Sequence, residues 1–107
     1  MCKDYQGYTN YETWAISLWI DNDQGDYSYA QSLTDLILRQ RSEDKARFIL
    51  EESFKDWWEE RNPLKDESSV FSDILITALS RVNWLEIADN WIENTKEESE
   101  TELDLQD

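Results

Sequence analysis

Turn-forming residues are scarce in this sequence, because two Gly and one Pro are spread over 107 residues. An antiparallel sheet needs Gly, Asn-Gly or Pro at frequent tight turns, whereas helices can be joined by short polar segments. The length suits one domain and is too short for two. The sequence therefore predicts a single all-α domain.

Five segments carry apolar residues at helical spacing, and helix-start residues precede them. The first should bury a broad face that includes Tyr11, Trp14 and Trp19, and the fourth is apolar enough to be central. We expect a compact bundle of about five helices within residues 1–96. The predicted helices run from about Thr9 to Ile20, from Tyr27 to about Arg41, from Ser42 to Asn62, from Ser69 to Val82, and onward from Asn83.

Acidic residues outnumber basic ones by 25 to 10, which gives a net charge of −15. Six of the acids lie in the tail 97–107, so residues 1–96 alone carry −9. The tail is too polar to offset its ordering entropy, and we expect it to fray. The field of the whole chain repels nucleic acid and anionic membranes and favours a basic protein partner.

The residue type that most often serves in catalytic and transition-metal sites is missing. The chain has no His, which excludes Ser–His and Cys–His catalysis and removes the commonest transition-metal ligand. The segment Asp21 to Asp26 resembles a calcium loop, but Gly25 falls at the fifth position instead of the sixth, and Ser32 replaces the Glu needed at the twelfth. We therefore expect a non-enzymatic protein without a cofactor or metal, in which this segment is a capped turn.

Two features bear on the compartment. No apolar run approaches the roughly 20 residues of a membrane span, and the start MCKDYQGYTN lacks a basic region followed by an apolar stretch. The single Cys2 can form neither an internal disulfide nor a thiolate metal cluster. These observations favour a cytoplasmic protein with no membrane partner.

Acidic residues on the last predicted helix recur at helical spacing. Glu86, Asp89 and Glu93 are three and four residues apart, and Glu97 and Glu100 continue the series. Such residues share one helix face, which here lies opposite the predicted core side. Packing of the helix on the core should therefore turn all of these carboxylates toward solvent.

A second acidic stripe is predicted on the third helix, where it contains Glu52, Asp56, Glu59 and Glu60. Side chains at these spacings lie about 5–6 Å apart, which is similar to the separation of successive phosphates on a nucleic-acid strand. Trp58 follows another Trp and cannot share its helix face, so it is a candidate interface anchor among these acids. The stripes indicate a DNA mimic that occupies a basic nucleic-acid-binding groove.

Two other interpretations stay open. A stripe of charges is often only the solvated side of a helix. The protein could also be an adaptor or regulatory module, monomeric or homodimeric, that binds through an apolar patch including Trp58 or Ile16 and Ile20. The mimic and the adaptor differ in salt dependence, because contacts between charged surfaces weaken as ionic strength rises and apolar contacts barely respond.

Two sequence blocks resemble those of a family of small uncharacterised proteins from phages and other prokaryotic genomes. The first has the pattern Tyr-x-Asn-Tyr-x-Thr-Trp from Tyr8, followed by Leu18-Trp19, and the second runs from Ala78 to Ala88. The resemblance implies a helical protein of a phage or bacterial host and transfers no binding residue. Separately, the acidity is similar in character to that of phage anti-restriction and anti-CRISPR inhibitors. We therefore expect an anti-defence inhibitor whose partner is a CRISPR effector or a restriction enzyme.

Overall fold

The structure, a computed structural model, describes the backbone of residues 5–106 and the side chains of residues 5–96. Within these residues a single bridge between Tyr5 and Tyr8 is the only β-type pairing. The predicted all-α bundle of five helices is confirmed. In chain order the helices are α1 Tyr11–Asn22, α2 Gln24–Gln40, α3 Glu43–Glu60, α4 Val70–Arg81 and α5 Trp84–Gln106.

Side-chain caps explain where the first two helices begin. The Asn10 side chain accepts a hydrogen bond from the backbone N–H of Thr13 at 2.9 Å, and the Asp23 side chain accepts one from that of Asp26 at 3.0 Å. Each cap satisfies a backbone donor that has no partner inside its helix. Because Asp23 supplies the second cap, α2 begins at Gln24, three residues earlier than predicted.

The core lies where α2, α3 and α5 meet. Leu50 and Phe54 of α3 are fully buried, and Trp84 and Trp91 of α5 are buried with them. The core side predicted for α5, opposite its acidic residues, is thus confirmed. The backbone of α5 continues as a helix to Gln106, through the tail for which the sequence predicts fraying.

Helix α1 turns its aromatic side outward. Thr13 and Ile20 are buried, whereas Tyr11 is exposed and the Trp19 side chain is 67% exposed. The prediction that the face with Tyr11 and Trp19 is core is therefore wrong. A small polar side chain can take the inner position because it finds a partner there: the Thr13 hydroxyl accepts a hydrogen bond from the backbone N–H of Asn83 at 2.8 Å.

Helix α4 lies at the edge of the bundle, where it packs mainly on α1. Its buried residue is Ser72, whose hydroxyl donates a hydrogen bond to the carbonyl oxygen of Leu64 at 3.1 Å. Val70, Phe71 and Ile74 are 63%, 69% and 62% exposed. The prediction that α4 is central is wrong, because α2, α3 and α5 enclose the core between them and α4 packs mainly on α1.

Candidate functional site

The two sequence blocks that carry the family resemblance meet in space. The Asn10 side-chain amide donates a hydrogen bond to the Arg81 carbonyl oxygen at 2.7 Å, and Arg81 Nε bonds Glu12 Oε2 at 3.1 Å. The bond from Asn83 to the Thr13 hydroxyl lies at the same junction. These residues tie the start of α1 to the connection between α4 and α5, so this part of the signature stabilises the fold.

Glu86 belongs to the same network instead of to a solvent-exposed stripe. Its side chain is 9% exposed, and Oε1 accepts a hydrogen bond from the backbone N–H of Thr9 at 2.9 Å. The Asn83 side chain accepts a bond from the Glu86 backbone N–H at 3.1 Å and donates one to the Thr9 hydroxyl at 3.2 Å. The prediction that Glu86 projects into solvent is wrong, because the segment before α1 lies against the first turn of α5.

Asp89 is engaged by a cation from α3. Its two carboxylate oxygens accept hydrogen bonds from Arg47 Nε at 2.9 Å and from Arg47 Nη2 at 2.8 Å. The hydrogen bond to Asp89, with the attraction of its charge, raises the pKa of the Arg47 guanidinium. Glu93 is exposed, and the side chains of Glu97 and Glu100 lie outside the described residues. Within the described residues the predicted α5 stripe is therefore reduced to Glu93.

The stripe on α3 is intact. Glu52, Asp56, Glu59 and Glu60 are all exposed, and the helical period places them on one side of α3. Glu60 forms a salt bridge with Lys65 at 2.9 Å, a surface pair that adds little to stability. We call these four residues the α3 acidic face; their role in binding stays a prediction.

Trp58 lies at the end of this face but is not an open anchor. Arg61 covers its ring with the guanidinium carbon 4.4 Å from the ring centroid, and Asp26 holds Arg61 through a salt bridge of 3.0 Å. The Trp58 indole nitrogen is buried and has no hydrogen-bond partner. The tryptophan that presents its ring to solvent is Trp19.

Trp19 and Trp58 line one open pocket of about 410 Å³, together with Asp23, Asp26 and Arg61. Arg61 also lines a neighbouring groove beside Asp56 and Glu60 of the α3 acidic face. The exposure of Trp19 had a signal in the sequence, because three consecutive large apolar residues, Leu18 to Ile20, cannot all face one side of a helix. The acidic face and the tryptophan pocket therefore adjoin at Arg61.

The apolar patch predicted for an adaptor is not at its expected place. Ile20 is fully buried, and Ile16 packs against the core. The exposed apolar residues of α4 form a different patch, in which Val70, Phe71 and Ile74 occupy one side of the helix. We call these three residues the α4 apolar face.

Two findings concern metals and membranes. No group of three or more His, Cys, Asp or Glu side chains in the described part of the chain is placed to hold a metal ion. Among the helices of that same part, none is both long and apolar enough to cross a membrane. The candidate site consists of the α3 acidic face and the tryptophan pocket, which adjoin at Arg61.

Residues 1–102 match a protein family described as a family of unknown function, DUF7249. Comparison with curated proteins and with solved structures finds no match. The family description names no ligand and no activity, so functional inference rests on the geometry.

Proposed function

The chain belongs to the DUF7249 family, and since the function of that family is unknown, we propose one from the geometry. The protein is a non-enzymatic inhibitor whose α3 acidic face occupies the basic nucleic-acid-binding groove of another protein, namely a CRISPR effector or a restriction enzyme. The observation that carries this proposal is the set of four exposed carboxylates on one side of α3, in a chain of net charge −15.

The dimensions of the α3 acidic face suit a phosphate-binding groove. Glu52 and Glu60 are eight residues apart, which on a helix that rises 1.5 Å per residue corresponds to about 12 Å. Phosphates of one DNA strand advance by about 3.4 Å along the axis, so the face spans roughly three to four phosphates. Lys and Arg side chains spaced for that strand can therefore pair with these carboxylates.

The tryptophan pocket adds an apolar contact at the end of the acidic face. Tryptophan and arginine are the residues that most often dominate protein interfaces, and Trp19 and Arg61 both lie at this pocket. In an interface that includes both surfaces, the charges would orient the partner and the Trp19 ring would be buried against it. This combination supports a protein partner over a free polycation.

A second function is favoured by one observation, the 67% exposure of Trp19 beside the exposed Leu18. Exposed aromatic and aliphatic neighbours are typical of apolar docking sites. In that case the protein is an adaptor that binds through α1, and its acids only keep it soluble. The two functions predict different responses to salt, because charged contacts weaken as ionic strength rises and apolar contacts barely respond.

Affinity capture with matched variants tests the proposal. The tagged protein is incubated with a bacterial host lysate at about 50 mM and 300 mM salt, and captured proteins are identified by mass spectrometry. We expect nucleic-acid-binding proteins that are retained at low salt and released at high salt. Replacement of Glu52 and Asp56 by Lys should lower their capture at least about tenfold, because attraction becomes repulsion.

The control reverses two exposed loop acids, Asp66 and Glu67, to Lys, so that net charge changes equally. This control should retain capture within about twofold, because it leaves the α3 acidic face untouched. Equal loss in both variants would show a general charge effect and contradict docking by α3. Capture that survives high salt and is lost in Trp19→Ala would favour the adaptor.

A further inference from the structure

The α4 apolar face has no partner in the monomer. Val70, Phe71 and Ile74 are each more than 60% exposed, although α4 is one of the most apolar segments of the chain. Burial of each such side chain contributes about 1.5–3 kcal/mol. Covering this face with a partner would therefore be strongly favourable. We propose that this face packs on the same face of a second copy of the chain.

Charge favours a second copy over the basic partner of the proposed function. Helix α4 carries one acid, Asp73, and one base, Arg81, in a chain of net charge −15, and Arg81 is already paired with Glu12. A basic groove would find almost no carboxylates on this helix to pair with. A face that is apolar and nearly neutral is complementary to another of the same kind, and two acidic copies that meet there bring few like charges together.

The sequence of α4 also suits a two-fold arrangement. If two α4 helices cross antiparallel with the axis at Ile74, positions equally far before and after Ile74 lie opposite each other, so Val70 of one copy lies opposite Ala78 of the partner subunit and Phe71 lies opposite Thr77 of the partner subunit. Each larger apolar side chain then meets a smaller one, as interdigitated packing between helices requires. The same contact is made twice, as in every two-fold interface.

The exposed area limits the strength of this dimer. The three side chains expose roughly 350 Å², similar to the largest apolar patch on a typical monomer. Two such faces together bury roughly 700 Å² of side-chain surface, which lies below the about 1,200 Å² at which stable complexes begin and in the range of weak and transient ones. We therefore expect self-association at high micromolar concentration.

Salt should strengthen this dimer. Each copy carries −15, so the two copies repel at long range, and added ions screen that repulsion while apolar contact persists. The proposed docking of the α3 acidic face must weaken under the same change. The two proposals can therefore fail independently of each other.

Sedimentation equilibrium of the full chain tests the proposal at concentrations from about 10 μM to 1 mM, at low and high salt. We expect an average mass that rises from 12.8 kDa toward twice that value, and more steeply at high salt. Ile74→Glu should raise the dissociation constant at least about tenfold, because it places a charge at the centre of the interface. The matched control is Phe48→Glu, since Phe48 on α3 is also exposed, at 53%, and this variant should dimerise like the wild type.

Disulfide trapping gives a second readout that does not require a weakened variant. In a background that carries Cys2→Ser, Ile74→Cys should form a covalent dimer on mild oxidation, because the two sulfurs would lie near the two-fold axis. Phe48→Cys should not do so at the same rate. A wild type that stays monomeric at 1 mM in high salt, or equal effects at Ile74 and Phe48 in both assays, would overturn the proposal.

Discussion

Replacement of Glu86 by Ala should destabilise the fold, although the residue belongs to a pattern typical of a solvated stripe. The substitution removes a buried carboxylate that accepts the Thr9 N–H at 2.9 Å. Hydrogen bonds to charged groups contribute about 1.5–3 kcal/mol, and the lost side chain also leaves space against the first turn of α5. We therefore expect a loss of about 2–3 kcal/mol in the free energy of unfolding.

Thermal and urea denaturation followed by circular dichroism measure this loss. For a domain of this size, about 1 kcal/mol shifts Tm by 4–8 °C, so Glu86→Ala should lower Tm by about 10–20 °C. Glu86→Gln keeps an oxygen acceptor for Thr9 and should lose less. The matched control is Glu93→Ala, an exposed residue of the same pattern, which should cost less than about 0.5 kcal/mol. Similar values for Glu86→Ala and Glu93→Ala would refute the structural role of Glu86.

Two further predictions concern tryptophans and use the same unfolding measurements. Trp84→Ala should lower the free energy of unfolding by about 3–5 kcal/mol, because its ring is buried in the core. Trp19→Ala should lower it by less than about 1 kcal/mol, and equal losses would contradict the outward orientation of Trp19 on α1. Trp58→Phe should be close to neutral, because removal of a buried indole N–H that has no partner offsets the packing lost with the smaller ring, and a loss above about 2 kcal/mol would contradict that balance.

Local features of the sequence predicted local structure well. The number of helices, the breaks near Asp23 and Pro63, and the inner side of α5 follow from caps, helix breakers and apolar period. All of these are decided by residues a few positions apart. The start of α2 differed by three residues because two Asp residues compete as caps within one short segment.

The orientation of α1 and α4 could not be predicted in the same way. An apolar period shows which residues share a side of a helix, and it does not show whether another helix covers that side. In α1 both sides carry apolar residues, so the buried polar Thr13 and the distant Asn83 decide the orientation. Their contact spans 70 positions in the chain, and no local pattern encodes it.

Long-range partners also explain why one acidic stripe survives and the other does not. Glu86 meets Thr9, and Asp89 meets Arg47 on another helix, whereas Glu52 and Asp56 lie on a side of α3 that faces solvent. Helical spacing is the same in both stripes. Spacing therefore predicts which carboxylates can act together, and only the packing shows which of them remain available.

The two proposed interfaces respond in opposite directions to a change in ionic strength, so both can be tested on the same protein. A dimer formed through α4 would carry two α3 acidic faces. On a target with two basic sites, binding of one face raises the effective concentration of the other face at the second site, so the dimer binds more tightly than a monomer. Low salt favours each charged contact but separates the copies, whereas high salt joins the copies and weakens the contact. Because the α4 apolar face and the α3 acidic face belong to different helices, Ile74→Glu should remove the avidity and leave the affinity of a single α3 acidic face unchanged.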